Sequence, residues 1–473
     1  MIDRQEIMDF ARELALDPKV VEKDYVLGWL LAGIAEQAVL GTNWVFKGGT
    51  CLKKCYFETY RFSEDLDFTI TEETHLDQDF LLNTFREICE WIYDQTGIEI
   101  PADQVRFRVY DNNRGGRSAE GRVYYVGPLQ QRRNLMRIKL DLTTHEVLVL
   151  EPAIREVHHP YSDKPETGIN VPCYCFEEVF AEKFRALAER ERPRDLYDVV
   201  HLYRHDEIRP DRLQVMSTLQ EKCNFKGIPV PTSASLLTQS AREKLKTEWE
   251  DMLAHQLPVL PSFDQFWAEM PMVLDWLHQV IEKPVLQRQQ VRESIDRSWQ
   301  PPSMVHAWHT PVPLESIRFA AANHLCVNLQ YQGSWRLIEP YSLRRTSDGN
   351  ILLYAVKHDS GEPRSYRIDR IQGVEISQVP FVPRYLVELT PSSPLRIPDI
   401  SRETSSVPQP ARATIRSGKS QRGASFGPKY VFKCNVCGKK FTHKTYDATL
   451  NPHKDKNGYP CYGRIGFYEK TVY

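Results

Sequence analysis

Three stretches of this 473-residue chain carry residues whose types and spacing could do chemistry. The first, "RFSEDLDFTI" at 61–70, sets Asp65 and Asp67 two apart in a run that otherwise reads as a strand. Strand residues alternate faces, so both carboxylates point one way and Leu66, Phe68 and Ile70 the other. The run is either a solvated edge strand or a holder for the divalent cations that neutralise a triphosphate. The second stretch is the tail, where Cys434 and Cys437 form a C-x2-C turn followed directly by glycine. Two thiolates from such a turn need two further nitrogen or sulfur ligands to close a tetrahedral zinc site. Cys461 supplies one; His453 or His443 supplies the other, His453 preferred because it sits in a turn region. The third, "AEKFRALAERERPRDLYDVVHL" at 181–202, is a charged helix or a partner to the first. A lysine such as Lys183, ahead of Pro-Arg-Asp, can reach into a cleft as a point charge. Asp195 either acts as a base or fixes Lys183 and Arg194, and Asp198 reads as a cap or ion-pair partner.

Positioning elements can be read around these residues. "VFKGGTCLKK" puts Gly48, Gly49 and Thr50 between a strand and a helix. Paired glycines let a backbone approach a phosphate, and the helix N-terminus that follows attracts anions. In "LMRIKLDLTT", Met136, Ile138, Leu140 and Leu142 alternate with Arg137, Lys139, Asp141 and Thr143, so Asp141 can add a third carboxylate. Helical periodicity predicts helices over about 4–16, 20–39 and 78–97, and helical structure from 176 to about 295. Strands are predicted at "NWVFKGG", "DLDFTI", "RVYYV" and "LMRIKLDLTT". The fold class expected is therefore a mixed α/β unit over 1–298 with a helical C-terminal part. Residues 299–313 read as a Pro-rich linker, and 314–390 as a small, mainly β domain with a leading helix. Residues 391–428, rich in Pro, Ser and Arg, read as a disordered basic linker, and 429–473 as a compact zinc-ribbon-like module.

Composition narrows the classes. The chain is 41% hydrophobic and 26% charged with a net charge of −2, ordinary for a globular protein and no polycation. No apolar leader and no run of about 18 apolar residues is visible, so a cytoplasmic protein without a membrane span is expected, its cysteines reduced.

The order of glycine turn, D-x-D strand and third carboxylate resembles the polymerase-beta-like nucleotidyltransferase superfamily. More narrowly, "FKGGTCLKK…RFSEDLDFTI", with "VEKDYVL" before it and the "RDLYD" block after it, resembles the AbiEii/AbiGii toxin family over roughly residues 5–290. That family belongs to bacterial toxin–antitoxin and phage-defence systems. The resemblance implies a Mg2+- or Mn2+-dependent transfer of NMP from an NTP to an RNA, in particular the 3′ end of tRNA, and an antitoxin or other defence-operon partner. It implies that Ser63, Asp65 and Asp67 form the metal and nucleotide motif, with Asp141 assisting. Gly48, Gly49, Thr50 and Lys183 would seat the triphosphate, and Asp195 would orient or activate.

Residues 315–376 resemble a WYL domain, a small Sm-like barrel that senses ligands or nucleic acid. The tripeptide that names that family reads Ile351-Leu352-Leu353 here; its first two aromatics are absent, a departure that bears on the inherited ligand pocket and not on the fold. Arg344, Arg364, Arg367 and Arg370, with Tyr331 and Tyr341, offer either phosphate contacts and stacking or a solvated barrel face. The tail holds nine Lys/Arg against three Asp/Glu, an electrostatic footprint for nucleic acid. The alternative for the whole protein is a regulator that senses nucleic acid or a ligand, its transferase domain a scaffold or nucleotide switch.

Overall fold

The computed structural model describes residues 1–111, 116–205, 210–290, 293–296, 299, 314–389, 429–434, 436–443, 448–451, 453–454, 460–461 and 466–472. The linker expected at 391–428, and all but residue 299 of that expected at 299–313, lie outside the described residues. The chain divides into two compact units, Met1–Pro398 and Asp399–Tyr473.

The first unit opens with α1 (Arg4–Leu14) and α2 (Pro18–Glu36). Next come β1 (Trp44–Lys47), the short α3 (Gly48–Cys51), which runs into a wide turn over Leu52–Tyr56, and β2 (Asp65–Ile70). Helix α4 (Gln78–Thr96) leads to β3 (Val105–Asp111), β4 (Arg117–Tyr125), β5 (Met136–Thr143), β6 (Ala153–Glu156) and β7 (Asn170–Cys173). These strands form one mixed sheet in the order β3-β4-β5-β2-β1-β7-β6. β2 pairs antiparallel with β1 and parallel with β5, setting Asp67 opposite Lys47 on one side and Asp141 on the other. The apolar alternates of β2 and β5, among them Leu66, Phe68, Ile138 and Leu140, are fully buried. Helix α2 is buried nearly all round, as a helix at the centre of a core must be. Phe85 of α4 lies 4.8 Å from Phe107 of β3, and Trp44 5.4 Å from Phe68.

A helical layer follows: α5 (Phe176–Arg190), α6 (Pro193–Arg204), α7 (Arg212–Lys226), α8 (Ser233–Leu236), α9 (Gln239–Leu253) and α10 (Phe263–Leu277). The expected helical stretch ends at Leu277, not near 295. Pro284 lacks the N–H a helix needs, and the Gln/Arg-rich run after it has no apolar stripe to bury. Instead the segment runs extended along the next domain: Leu386 donates its N–H to the Gln287 carbonyl (2.9 Å), and Ile295 bridges Thr346.

That next domain has a leading helix, α11 (Leu314–Ala322), and strands β8 (Leu325–Tyr331), β9 (Ser334–Arg345), β10 (Ile351–Lys357), β11 (Pro363–Arg367) and β12 (Ile371–Pro380). They form a five-stranded sheet, β11-β10-β9-β8-β12. It does not stand apart on a linker. Arg318 of α11, 2% exposed, reaches the loop that leads into β2 and pairs with Glu58 at 3.0 Å while also gripping Glu315. Thr59 donates to Glu315 at 3.2 Å, and Tyr197 of α6 donates to Asn323 at 2.9 Å. Burial pushes the Glu58 carboxyl up to about 8 despite Arg318. Such a buried pair is costly to break from one side.

The second unit contains β13 (Lys429–Cys434), β14 (Lys440–His443), β15 (His453–Lys454), β16 (Pro460–Cys461) and β17 (Gly466–Val472). β13 pairs with β14 and β17, and β15 pairs with β16.

Candidate active site and thiol cluster

Asp65 and Asp67 open β2, and parallel register sets Asp141 of β5 directly beside Asp67. All three carboxylates therefore share one sheet face. Burial, then the charges of Asp141 and Asp65, raises the Asp67 carboxyl to about 6, with Lys47 and Lys183 pulling the other way. Burial also raises Asp65, opposed by Lys23 and Lys139. Burial first and neighbouring carboxylates second disfavour the charged forms of Asp65 and Asp67, which a divalent cation would relieve; with Asp141 on the same face, the three fit a magnesium- or manganese-type ion.

The glycine turn closes over this cluster. Gly48 has φ +84° and packs so tightly that a Cβ there would lie 2.3 Å from Asp67 Oδ2. At Gly49 a Cβ would meet the Arg61 guanidinium at 2.6 Å and Ser63 Oγ at 3.2 Å. Thr50, expected to contact nucleotide, is fully buried and donates its hydroxyl to the Asp65 carbonyl, so it pins the turn to β2 instead.

Lys183, on the buried side of α5, pairs with Asp198 at 2.7 Å and lies 3.8 Å from Asp195. Arg61 grips Asp198 through two bonds of 2.7 Å, and Tyr60 donates to it as well. Burial works to raise Asp198, but Arg61 and Lys183 hold it well below the usual carboxylate range. Asp198 is thus an ion-pair partner at the centre of the loop-to-helix contact. Asp195 is 1% exposed and clasped by Arg190 at 2.7 and 2.8 Å. This pair of hydrogen bonds ties Asp195 to Arg190, and Lys183 lies 3.8 Å away. Sequence reasoning missed Lys47 and Lys23 as neighbours of the carboxylates. Lys47 could have been found from its place immediately before the two glycines; Lys23 could not, because its pairing with Glu64 at 2.8 Å spans 41 residues.

In the five-stranded domain the expected aromatic and basic set does not form one face. Tyr341 is fully buried, donating to Glu339 and accepting from the Arg384 N–H, so it can stack no base. Arg344 is held by Glu388 at 2.7 Å, Arg364 by Glu362 at 2.7 Å and Arg367 by Asp369 at 2.7 Å. Arg370 is exposed, and Tyr331 packs edge-on to Tyr366 at 5.2 Å.

In the second unit Cys434, Cys437, His453 and Cys461 converge, their ligand atoms all within 4.8 Å of one another. Cys437 Sγ lies 3.3 Å from His453 Nε2 and Cys434 Sγ 3.8 Å from Cys461 Sγ. His443 is outside the group; its ring packs on Phe432 at 5.5 Å. Gly438, at φ +71°, lets the chain turn back so that its N–H reaches the Cys434 carbonyl at 3.0 Å. Backbone N–H groups of Cys437 and Val436 pull the Cys434 thiol down to about 6. Asn451 fixes His453 through Nδ1 at 2.9 Å, leaving Nε2 for the thiols. Three thiols and one imidazole at this spacing suit zinc. A second trio, Cys51, Cys55 and Cys173, lies wholly buried, and all ten cysteines are free thiols.

Residues 29–269 match the family described as "Nucleotidyl transferase AbiEii toxin, Type IV TA system", and residues 313–376 match the WYL domain. No curated protein matches the chain. Among solved structures, the MenT4 nucleotidyltransferase toxin of Mycobacterium tuberculosis is 18% identical. The match covers 59% of this chain and 90% of that one, with a TM-score of 0.41. The JHP933 protein of Helicobacter pylori is 17% identical over 56% of this chain and 94% of its own, with a TM-score of 0.36. No helix among the described residues is long and apolar enough to cross a membrane. The match over 29–269 spans half the chain, and the chain belongs to the AbiEii nucleotidyltransferase toxin family.

Proposed function

We propose that this AbiEii-family nucleotidyltransferase moves an NMP from an NTP to an RNA acceptor, the 3′ end of tRNA foremost, as a cytoplasmic toxin of a bacterial defence system held in check by an antitoxin. The observation that carries the reading is Asp141 in register beside Asp67, with Asp65 on the same face and the Gly48–Gly49 turn packed over them. Magnesium or manganese bound at those carboxylates would neutralise the triphosphate. The chain's own groups do the rest. The glycine turn lets its backbone approach the phosphates, while Lys183 and the half-buried Arg194 stand by as cations. Asp198, itself gripped by Arg61, and the more distant Asp195 hold Lys183 in place. In the tail, zinc held by Cys434, Cys437, His453 and Cys461 would order a segment with little apolar core.

The test is incubation of the full chain with each α-labelled NTP, bulk tRNA and Mg2+. Label enters RNA with wild type and not with Asp67→Asn. Absence of label from every NTP with folded wild type would overturn the reading, and the mass gained by the RNA identifies nucleotide and acceptor.

A further inference from the structure

Among the described residues, the edge of the large sheet beyond the carboxylates has one face that is largely exposed. On strands β3, β4 and β5 the alternates Val105, Phe107, Ala119, Val123, Ile138 and Leu140 are buried. On the same face as Asp65 and Asp67, Arg106, Arg108, Arg122 and Arg137 are exposed and Glu120, Lys139 and Asp141 half-buried. Register reads across four strands as Asp65–Lys139–Arg122–Arg106, and in the next row as Asp67–Asp141–Glu120–Arg108. A third row pairs Arg137 with Tyr124. Cations thus continue from the carboxylates to the sheet edge, over three inter-strand steps of about 4.8 Å each, roughly 14 Å in all.

The face mixes charges of both signs, but on β3–β5 cations prevail: Arg106, Arg108, Arg122, Arg137 and Lys139 against Glu120 and Asp141. Here Arg106 faces Arg122, and Arg122 faces Lys139, like charges directly opposite one another, an arrangement that costs stability unless an anion lies between them. Glu120 answers Arg122 at 2.6 Å, and Asp141 answers Lys139 at 2.8 Å. Arg106 and Arg108 form no ion pair among the described residues. This surplus sits in a chain of net charge −2, so it is not the average of the surface. Two tyrosines share the face: Tyr110, 43% exposed, and the half-buried Tyr124, directly opposite Arg137 of β5. Guanidinium groups interleaved with aromatic rings recognise single-stranded nucleic acid by phosphate contact and base stacking.

We infer that the open face of β3–β4–β5 is the platform on which the single-stranded end of an acceptor RNA lies, leading its terminal hydroxyl to Asp65 and Asp67. The inference rests on the transferase reading above for its direction, and on the register alone for its place.

The test uses the full chain and a labelled oligouridylate carrying 4-thiouridine. Ultraviolet crosslinking followed by peptide mass spectrometry yields adducts within 105–125 or 136–143. The double variant Arg106→Glu/Arg108→Glu loses those adducts, binds at least about tenfold more weakly, and shows a salt slope shallower by about 0.7 per lost contact. Arg106→Gln/Arg108→Gln, with circular dichroism matching wild type, keeps a folding defect from imitating the result. Adducts confined to other segments, or undiminished affinity in the charge-reversed variant, would overturn the platform. Crosslinks on these strands without label transfer would sink the transferase reading and leave the platform standing. Normal transfer by the reversed variant would do the opposite.

Discussion

Asp65, Asp67 and Asp141 sit on strands whose opposite faces are locked into a core of dozens of buried residues, whereas Cys434, Cys437, His453 and Cys461 sit in a unit whose buried cluster is Phe432, Cys434, Leu450 and Cys461. In the first region the fold exists before the site and dictates it. In the second, two of the four cluster residues among the described residues are thiols of the candidate zinc site, so on the proposed reading the metal would make the fold. The difference teaches where each region can be damaged. On that reading the carboxylates are expected to tolerate alteration without unfolding of their sheet, and the thiols are not.

Metal removal tests that contrast most severely. A strong chelator, or Cys461→Ser, is expected to unfold 429–473 entirely, because structural zinc in such segments supplies about 10–16 kcal/mol of apparent binding energy. Limited proteolysis checks it: the tail becomes cleavable while Met1–Pro398 stays protected and keeps its melting transition. Protection of the tail in chelator would erase the distinction.

Asp67→Asn is expected to lower NMP transfer by on the order of 10^3-fold while circular dichroism and melting stay near wild type. A large loss of stability would place the carboxylates among the groups that hold the sheet.

Asp198→Ala sharpens the comparison from inside the first region. It strands Arg61 and Lys183 as buried, uncompensated charges, and a loss of about 3–5 kcal/mol is expected in urea unfolding. A near-neutral outcome would mean that the loop before β2 is held from elsewhere.

The smallest effect is in pH. Asp67 titrates near 6 in the folded chain against its usual 3.8, so the folded state binds that proton more tightly than the unfolded state does. Without metal, this group's cost is absent below about pH 4, grows as pH rises to 6 and is complete above it. A divalent ion bound to the carboxylates relieves that cost. Mg2+ or Mn2+ should therefore raise the melting temperature by a degree or two at pH 7.5 and not at pH 5, as scanning calorimetry would read.

Much of both sites was legible because their signals are local. Alternation marks Asp65 and Asp67, the same alternation marks Asp141, and C-x2-C-Gly marks the knuckle turn. Helix α10 and its neighbours were legible as helices, but the end at Leu277 was not, because the run after Pro284 is rich in Gln and Arg that suit a helix without demanding one. Contacts spanning most of the chain were invisible. Nothing within "RFSEDLDFTI" says that Arg61 will grip Asp198, 137 residues away. Tyr341 reads as an exposed aromatic among arginines until β9 is paired on both sides and buries it.

The Arg318–Glu58 clamp has a consequence in time. Its partners are 260 residues apart, so at usual rates of synthesis about 13–50 s pass between the making of one and the making of the other. For the first part of that interval the loop carrying Arg61 and Ser63 is unlatched, and from the making of α6 it is held by Asp198. The ribosome must finish α11 of the WYL domain before the strand that bears Asp65 and Asp67 receives its last support.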